Sequence, residues 1–238
     1  MRTRMVSSLN VRAAARRPLV ALVSATAASI PPAVQAFQQE FPEARTWNLL
    51  DDRLIVEAVE AGGLTDELVG RMSRLIHYAL DAGADGVLLT CSIYGPVAHE
   101  LAPGVEGPLY ASDDAAFHDA ASSGYSRIIL LSSLPEALRD AQRRFTAFLR
   151  AWDAGPTVIG VLAGDAFAAA ARGDVEAVVE ALAAAVRAAD LTADAILLAQ
   201  YSLAPAADAL ARLLGLPVLA GPPRAAAKMR AVLLGSDS

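Results

Sequence analysis

Short apolar runs rich in β-branched residues alternate along the chain with longer segments whose apolar residues recur at helical spacing. This alternation is typical of parallel sheets with helices packed on both faces, so the sequence predicts an α/β fold. Eight of the short runs are interpreted as strands: Leu19–Val23, Thr46–Leu49, Gly86–Leu89, Pro108–Tyr110, Arg127–Leu131, Thr157–Leu162, Ala195–Leu198 and Pro217–Leu219.

The clearest helix is predicted from Thr65 to Asp81. Thr65 is a suitable N-cap, and one helical face is apolar through Leu68, Met72, Leu75, Ile76 and Ala79. Gly83 then supplies a stop at the carboxyl end. Two alanine-rich helices are predicted over Ala163–Arg172 and Val175–Ala189, and they offer either a dimer surface or small residues that pack against the sheet.

An internal repeat organises the chain. Residues 84–111 align without gaps on residues 193–220 at a constant offset of 109 residues, with identity at 10 of 28 positions. The first strand is echoed as well, since VALVSA at 20–25 resembles IILLSS at 128–133. The repeat predicts that one strand–helix unit is used twice.

We therefore predict two pseudo-symmetric halves, each a Rossmann-like or flavodoxin-like parallel sheet. Residues 18–111 with 217–238 are assigned to the first half, residues 112–216 to the second, and residues 1–17 to a flexible tail. In open parallel sheets the ligand binds beyond the carboxyl ends of the strands. One site is expected between the halves, lined by the loops Ser24–Ala28, Cys91–Gly95, Ser132–Leu134 and Gln200–Leu203.

Composition narrows the class of protein. Apolar residues make up 55% of the chain and the formal net charge is -6, which favours a large core and argues against a general nucleic-acid binder. The single cysteine excludes an intramolecular disulfide. Arginines followed by an apolar stretch form a crude export-signal pattern at the N-terminus, but Pro31, Pro32 and several Ser and Thr residues favour a tail and a first strand. No membrane association and a cytoplasmic location are expected.

Cys91 is the leading candidate for chemistry. It directly follows an apolar strand, where backbone N–H groups of the next turn can stabilise a thiolate. The alternative is a core residue at a strand end. Metal-ligand spacings such as HExxH and CxxC are missing, as are the GxGxxG and P-loop patterns, so neither a metal nor a cofactor is predicted.

The segment LLTCS after Gly83-Ala84-Asp85, together with NLLDDRL and the long helix before it, resembles the aspartate/glutamate/hydantoin racemase superfamily. The resemblance runs from about residue 19 to residue 234. It implies an enzyme in which each half contributes one cysteine, and the two thiols flank the α-carbon of the substrate. Cys91 matches the first of these positions, while the repeat assigns Gln200 to the second.

Gln200 in place of the second cysteine changes the expected mechanism, because an amide cannot exchange protons readily near neutral pH. The sequence also resembles the maleate isomerases of this superfamily and its one-cysteine arylmalonate decarboxylases, although in the decarboxylases the retained thiol lies in the other half. These resemblances imply a cofactor-independent isomerase or lyase acting next to a carboxylate, with Cys91 as acid or base. Two alternatives stay open: cis–trans isomerisation of an unsaturated acid through a Cys91 adduct, and a non-catalytic protein that binds small acids.

The predicted loops also supply candidates for holding the substrate. Hydroxyl, amide and backbone N–H groups at strand ends can bind a carboxylate as charge develops, although Ser and Thr equally suit turns and helix caps. The candidates are Ser24, Thr26, Ser92, Tyr94, Ser132, Ser133, Gln200, Tyr201 and Ser202. No arginine falls in these loops, which favours a small monocarboxylate as the partner. A homodimer is a further possibility.

Overall fold

A computed structural model describes residues 16–150 and 155–235. Eight strands form two four-stranded sheets in which all pairs are parallel. The first sheet has the order β2-β1-β3-β4 and contains β1 Leu19–Ser24, β2 Arg45–Leu50, β3 Gly86–Leu89 and β4 Leu109–Tyr110. The second has the order β6-β5-β7-β8 and contains β5 Arg127–Ser132, β6 Thr157–Leu162, β7 Ala195–Leu198 and β8 Val218–Ala220. The predicted α/β class and all eight predicted strands are confirmed.

Helices connect the strands and cover both faces of each sheet. They are α1 Ile30–Glu40, α2 Arg53–Glu60, α3 Asp66–Asp81, α4 Gly95–Leu101, α5 Asp114–Ser122, α6 Pro135–Leu149, α7 Asp165–Ala171, α8 Val175–Ala188, α9 Ala207–Leu214 and α10 Gly221–Leu234. Short 3-10 helices lie at Ala27–Ser29, Ser92–Tyr94, Ala102–Gly104 and Tyr201–Ala206. Within these described segments, no helix combines the length and the apolar character needed to cross a membrane.

Local sequence explains where α3 begins and ends. The Thr65 hydroxyl accepts a hydrogen bond from the backbone N–H of Leu68 at 3.3 Å, as an N-cap does. At the other end, Gly83 has a φ of +88°, a conformation that glycine adopts without the steric cost of a Cβ. The predicted cap and stop are both confirmed, and the apolar face of α3 packs into the first half's core.

The repeat is confirmed in strand register. Val87 pairs with Leu109 in the first sheet, and Ile196 pairs with Val218 in the second, each residue lying 109 positions after its counterpart. The central strands β3 and β7 are buried along their whole length, which explains why they appear in the sequence as continuous apolar runs. The equivalent strands therefore end at equivalent places, and so do the loops that follow them.

The last helix of each unit crosses to the other unit. α5 follows the first sheet but packs on the second, against Ile128 and Leu130, whereas α10 follows the second sheet and packs on the first, against Val20 and Leu22. Residues 217–238, assigned to the first half from the sequence, thus divide in the structure: α10 packs on the first sheet, whereas β8 pairs with β7 in the second. Because each half packs a helix that follows the other half's sheet, this exchange holds the two halves in contact.

Most of the predicted flexible tail, residues 1–15, lies outside the described residues. The two remaining tail residues are held against the first half. Arg17 donates to the carbonyl oxygens of Pro42, Glu43 and Ala44, and Arg16 forms an ion pair with Asp85. For Arg16 and Arg17 the prediction of a flexible tail is wrong, because neighbouring backbone and carboxylate oxygens bind them.

Docking of α10 leaves no space for a side chain at its first residue. A Cβ at Gly221 would lie 2.6 Å from the carbonyl oxygen of Ser112 and 2.7 Å from a ring carbon of Tyr201. We expect Gly221→Ala to lower the free energy of unfolding by about 1–3 kcal/mol, the usual cost of overpacking. Urea denaturation of both proteins measures the difference.

Gly164→Ala is the matched control. A Cβ at Gly164 would meet no atom within 4 Å, and its φ of -55° suits alanine. This variant should be as stable as the parent or slightly more so. Equal stability of the Gly221 and Gly164 variants would contradict the tight docking of α10.

Candidate active site

A small cavity lies between the carboxyl ends of the two sheets. Its volume is about 50 Å³, room for roughly four water-sized groups. Loops from both halves line it, as predicted for a site shared between them. The lining residues are Thr26, Ala28, Ser29, Ile55, Thr90, Cys91, Ser92, Ile93, Leu134, Ala137, Phe167, Ala170, Ala171, Gln200, Tyr201 and Ser202.

Cys91 lies in this cavity at the end of β3, where the strand gives way to the 3-10 turn Ser92–Tyr94. Burial raises the pKa of its thiol from 9.0 to about 12, and the nearby carboxylate of Asp113 acts in the same direction. The backbone N–H groups of Ile93 and Tyr94 lower the pKa, as the sequence suggested, but burial outweighs them. The thiol is therefore protonated at neutral pH.

Hydroxyl groups surround the cysteine in the first half. The Thr90 hydroxyl lies 2.8 Å from that of Ser24 and 2.7 Å from that of Ser29, and all three residues are buried. Ser29 and Thr90 line the cavity and were missed by the sequence analysis. Thr90 directly precedes Cys91 in TCS, so its position at the strand end could have been predicted from the sequence. Ser29 lies beyond the predicted loop.

Gln200 faces the cavity from the second half, at the position that the repeat makes equivalent to Cys91. Its Oε1 accepts three hydrogen bonds: from the Ser133 backbone N–H at 2.6 Å, the Ser132 hydroxyl at 2.9 Å and the Ser133 hydroxyl at 3.0 Å. A backbone N–H can only donate, so this contact fixes which end of the amide is the oxygen. The Nε2 group has no acceptor among the described residues and can donate to a ligand.

An arginine from the second half supports the Cys91 turn. Arg144, on α6, donates to the carbonyl oxygen of Ser92 at 3.2 Å and to both oxygens of Asp113 at 3.0 and 2.7 Å. Its Nε donates to Asp140 at 2.6 Å. Burial lowers the pKa of Arg144, but the two carboxylates raise it overall, so the charge persists. Four of the five guanidinium N–H groups donate to these partners, and the side chain does not line the cavity.

The predicted site residues divide into two groups. Six line the cavity: Thr26, Cys91, Ser92, Gln200, Tyr201 and Ser202. The other four lie behind it: Ser24, Tyr94, Ser132 and Ser133. Ser24 bonds to Thr90, the serines at 132 and 133 hold Gln200, and the Tyr94 hydroxyl donates to the Leu54 carbonyl oxygen at 2.9 Å. For these four, the geometry indicates support of the lining residues instead of direct ligand contact.

The two walls of the cavity differ in polarity. The first half contributes the thiol, four hydroxyls and three apolar residues: Cys91, Thr26, Ser29, Thr90, Ser92, Ala28, Ile55 and Ile93. The second half contributes Gln200, Ser202 and an apolar surface formed by Leu134, Ala137, Phe167, Ala170 and Ala171. The equivalent loops thus share a backbone plan but carry different side chains.

Comparison with known proteins assigns the family. The family model described as Asp/Glu/Hydantoin racemase matches residues 4–230, nearly the whole chain. The chain belongs to the Asp/Glu/Hydantoin racemase family. The resemblance found in the sequence is confirmed. No curated protein sequence matches the chain significantly.

Solved structures agree with this family fold. Glutamate racemase from Bacillus anthracis superposes with a TM-score of 0.72 at 10% identity, covering 92% of this chain and 83% of that one. Allantoin racemase from Klebsiella pneumoniae gives 0.67 at 19% identity, covering 92% and 89%. A glycine-to-cysteine mutant of arylmalonate decarboxylase gives 0.59 at 20% identity, covering 93% and 95%. At these sequence identities the structural similarity shows the fold of this racemase-family chain and does not show its substrate or its reaction.

The raised pKa of Cys91 predicts how stability depends on pH. The unfolded chain loses the thiol proton near pH 9, whereas the folded protein keeps it up to about pH 12. The stabilisation is therefore fully present below pH 9 and is lost as pH rises, by roughly 1 kcal/mol at pH 10. The free energy of unfolding should fall by that amount more in the parent than in Cys91→Ser between pH 7 and pH 10.

Chemical denaturation of both proteins at each pH provides the measurement. Parallel pH profiles would show that the folded and unfolded thiols have the same pKa, contrary to the burial argument.

Proposed function

We propose that this racemase-family protein is an enzyme that protonates a carbanion or enediolate next to a carboxylate, with Cys91 as the proton donor. The observation that carries the proposal is the pairing of one thiol with one amide in the same cavity. Cys91 lies on one side, and Gln200 occupies the equivalent strand end on the other. A second acid–base group is missing from the place where the symmetry would put it.

The protonation state of Cys91 favours donation over abstraction. With a pKa of about 12, only about one molecule in 10⁵ carries the thiolate at pH 7. A group that is almost always protonated is ready to give a proton to a strongly basic carbon, and it is a poor base for removing one. This argues for a step in which the carbanion arises by another route, such as loss of CO2.

The same argument weakens the alternative of covalent addition to a double bond. A cysteine nucleophile reacts as the thiolate and is normally surrounded by groups that lower its pKa. Here burial and Asp113 raise the pKa, while the positive charge of Arg144 is shared with two carboxylates. Decarboxylation followed by protonation from one face is therefore the reaction that the site supports best.

Gln200 is proposed to hold the acid. Its Oε1 is saturated by three donors, so its Nε2 is free to donate to a carboxylate or enediolate oxygen. Hydrogen-bond donors fixed in advance stabilise developing negative charge without reorganisation. The Thr26 hydroxyl offers a further donor on the opposite wall, whereas the hydroxyls of Ser29 and Thr90 are bonded to each other, to Ser24 and to the Thr26 carbonyl oxygen. One held carboxylate suits this neutral donor set, since no arginine lines the cavity, and a second carboxylate on the same carbon is the one that leaves as CO2.

The deciding experiment incubates the protein in D2O with small carboxylic acids, including malonate and 2-substituted malonates. Parent and Cys91→Ser proteins are followed by NMR for CO2 release, deuterium at the α-carbon and double-bond isomerisation. We expect CO2 loss or deuterium incorporation by the parent and a fall of at least about 100-fold in Cys91→Ser, the usual size of a general acid's contribution. Product stereochemistry should be uniform, because one face is protonated.

Other outcomes distinguish the alternatives. A Cys91 adduct with isomerisation and no deuterium at carbon would support the covalent isomerase. Binding of acids without turnover, with equal affinity in both proteins, would support a non-catalytic acid-binding protein. A racemic, fully deuterated product would show that a second base acts from the opposite face, contrary to the proposal.

Gln200→Glu tests the amide donor with almost no change in size. The carboxylate can still accept from Ser132 and Ser133, but it replaces the Nε2 donor by a negative oxygen facing the acid. We expect the affinity for acids to fall at least about tenfold while the thermal midpoint stays within a few degrees. Dissociation constants come from NMR titration, and unchanged affinity would remove Gln200 from acid recognition.

A further inference from the structure

An ion network lies behind the Cys91 turn, outside the thiol cavity. One terminal nitrogen of Arg144 donates both to the Ser92 carbonyl oxygen at 3.2 Å and to the Asp113 carboxylate at 2.7 Å. The Asp113 carboxylate is therefore two hydrogen bonds away from the turn that carries the thiol. Only 10% of the Arg144 side chain and 6% of the Asp113 side chain are exposed, and neither residue lines the cavity.

Strand register brings the carboxylate of this network to the thiol. In the β3–β4 pair, Leu88 lies opposite Tyr110, an offset of 22 residues. The same offset separates Cys91 from Asp113, and each lies three residues beyond its paired strand position. Neighbouring parallel strands thus deliver the thiol and the carboxylate to the same edge of the sheet.

The equivalent turn of the second half is built without such a network. When the repeat is continued by two residues, Pro222 stands at the position that corresponds to Asp113. The helix that packs on the 3-10 helix after Gln200 is α1, as α6 packs on the turn after Cys91, and α1 contains no arginine. The ion pair therefore belongs to the thiol and is not a general feature of the duplicated scaffold.

The charges of the network act on the thiol in opposite directions. A guanidinium beside a cysteine normally stabilises the thiolate and makes it a nucleophile. Here burial is the main cause of the raised pKa of Cys91, and Asp113 raises that pKa by more than Arg144 lowers it. Asp140 takes up part of the positive charge too, since it accepts from the arginine Nε at 2.6 Å. The arginine thus holds the turn without activating the thiol.

We propose that Asp113 is a positioning residue that selects the chemistry of Cys91: by holding and neutralising Arg144, it keeps the thiol a proton donor and prevents it from acting as a nucleophile. The inference deepens the proposed function and rests on it, since it takes Cys91 to donate a proton. Asp113 acts through its charge and through the arginine, without touching the substrate.

Other ionisable groups surround the network. They are Asp140 and Arg143 on α6, Asp114 on α5, His99 on α4 and the buried phenols of Tyr94 and Tyr201. All of them stay in place when Asp113 alone is changed, so a difference between that variant and the parent reports the Asp113 charge.

The test measures the rate at which iodoacetamide alkylates Cys91, the single cysteine, between pH 7 and pH 10. Asp113→Asn keeps the size of the side chain and removes its charge, so the thiol pKa should fall by at least about one unit. Such a fall raises the thiolate fraction about tenfold and lowers its intrinsic reactivity about threefold, so alkylation should accelerate at least about threefold. Asp140→Asn removes the other carboxylate from Arg144 and should also accelerate alkylation, but less.

Asp114→Asn is the matched control. Asp114 is the adjacent carboxylate, and it lies 2.7 Å from His99 instead of contacting Arg144. This variant loses the same charge, and its alkylation rate should stay close to that of the parent.

A double variant separates charge from loosening of the turn. Asp113→Asn combined with Arg144→Met removes both members of the buried pair, so neither is left unpaired, and Asp140 keeps Arg143 as its partner. Without the cation, the alkylation rate should return towards that of the parent.

Two results would overturn the proposal: equal alkylation rates in the parent, Asp113→Asn and Asp140→Asn, or an acceleration that persists in the double variant. The assay needs no substrate, so either result leaves the proposed function intact if CO2 release or deuterium incorporation still depends on Cys91. Loss of that dependence, with the alkylation results as expected, would instead remove the catalytic proposal and keep Asp113 as the residue that controls the reactivity of the thiol.

Discussion

The site depends on one buried guanidinium that joins the two halves. Arg144 belongs to a helix of the second half, but it binds the carbonyl oxygen of Ser92 in the turn that carries Cys91. A buried charge is tolerated only when its partners satisfy it, and here Asp113 and Asp140 do so. Gly95 makes room, since a Cβ there would lie 3.2 Å from the guanidinium. The distance between the thiol and the opposite wall is thus fixed by an interaction between halves.

A duplicated backbone with different side chains explains the character of the cavity. Strand register is conserved between the sheets, so Cys91 and Gln200 end equivalent strands and face one space. The residues around them have diverged: hydroxyls cluster near the thiol, and apolar side chains cover most of the other wall. A symmetric pair of acid–base groups can act on both faces of a carbon. In the proposed function the unsymmetric pair of Cys91 and Gln200 has two roles, proton transfer on one side and recognition of the acid on the other.

The sequence predicts the scaffold well because buried parallel strands are continuous apolar runs, and strand ends fix the loops of the site. Cys91 and Gln200 could be predicted in this way, because each follows the end of a buried strand. Thr90 was missed although it adjoins Cys91, and Arg144 was missed because its contact with Ser92 spans 52 residues and arises only from packing. The apolar wall was not visible either, since residues such as Leu134 cannot be told from core residues by sequence pattern. Polar anchors at strand ends are predictable; contacts between halves and the shape of an apolar surface are not.

Burial of the thiol imposes a condition on the proposed catalytic cycle. After giving up its proton, Cys91 is left as a thiolate in an environment that strongly disfavours it, as the raised pKa shows. The same burial that makes donation dependable also drives rapid recovery of a proton from water. Water must therefore reach the sulfur once the product leaves, and Cys91 does retain 8% exposure toward the cavity. In the proposed cycle, an acid that fills the cavity keeps water from the sulfur during the reaction, and its departure readmits the water that resets the acid.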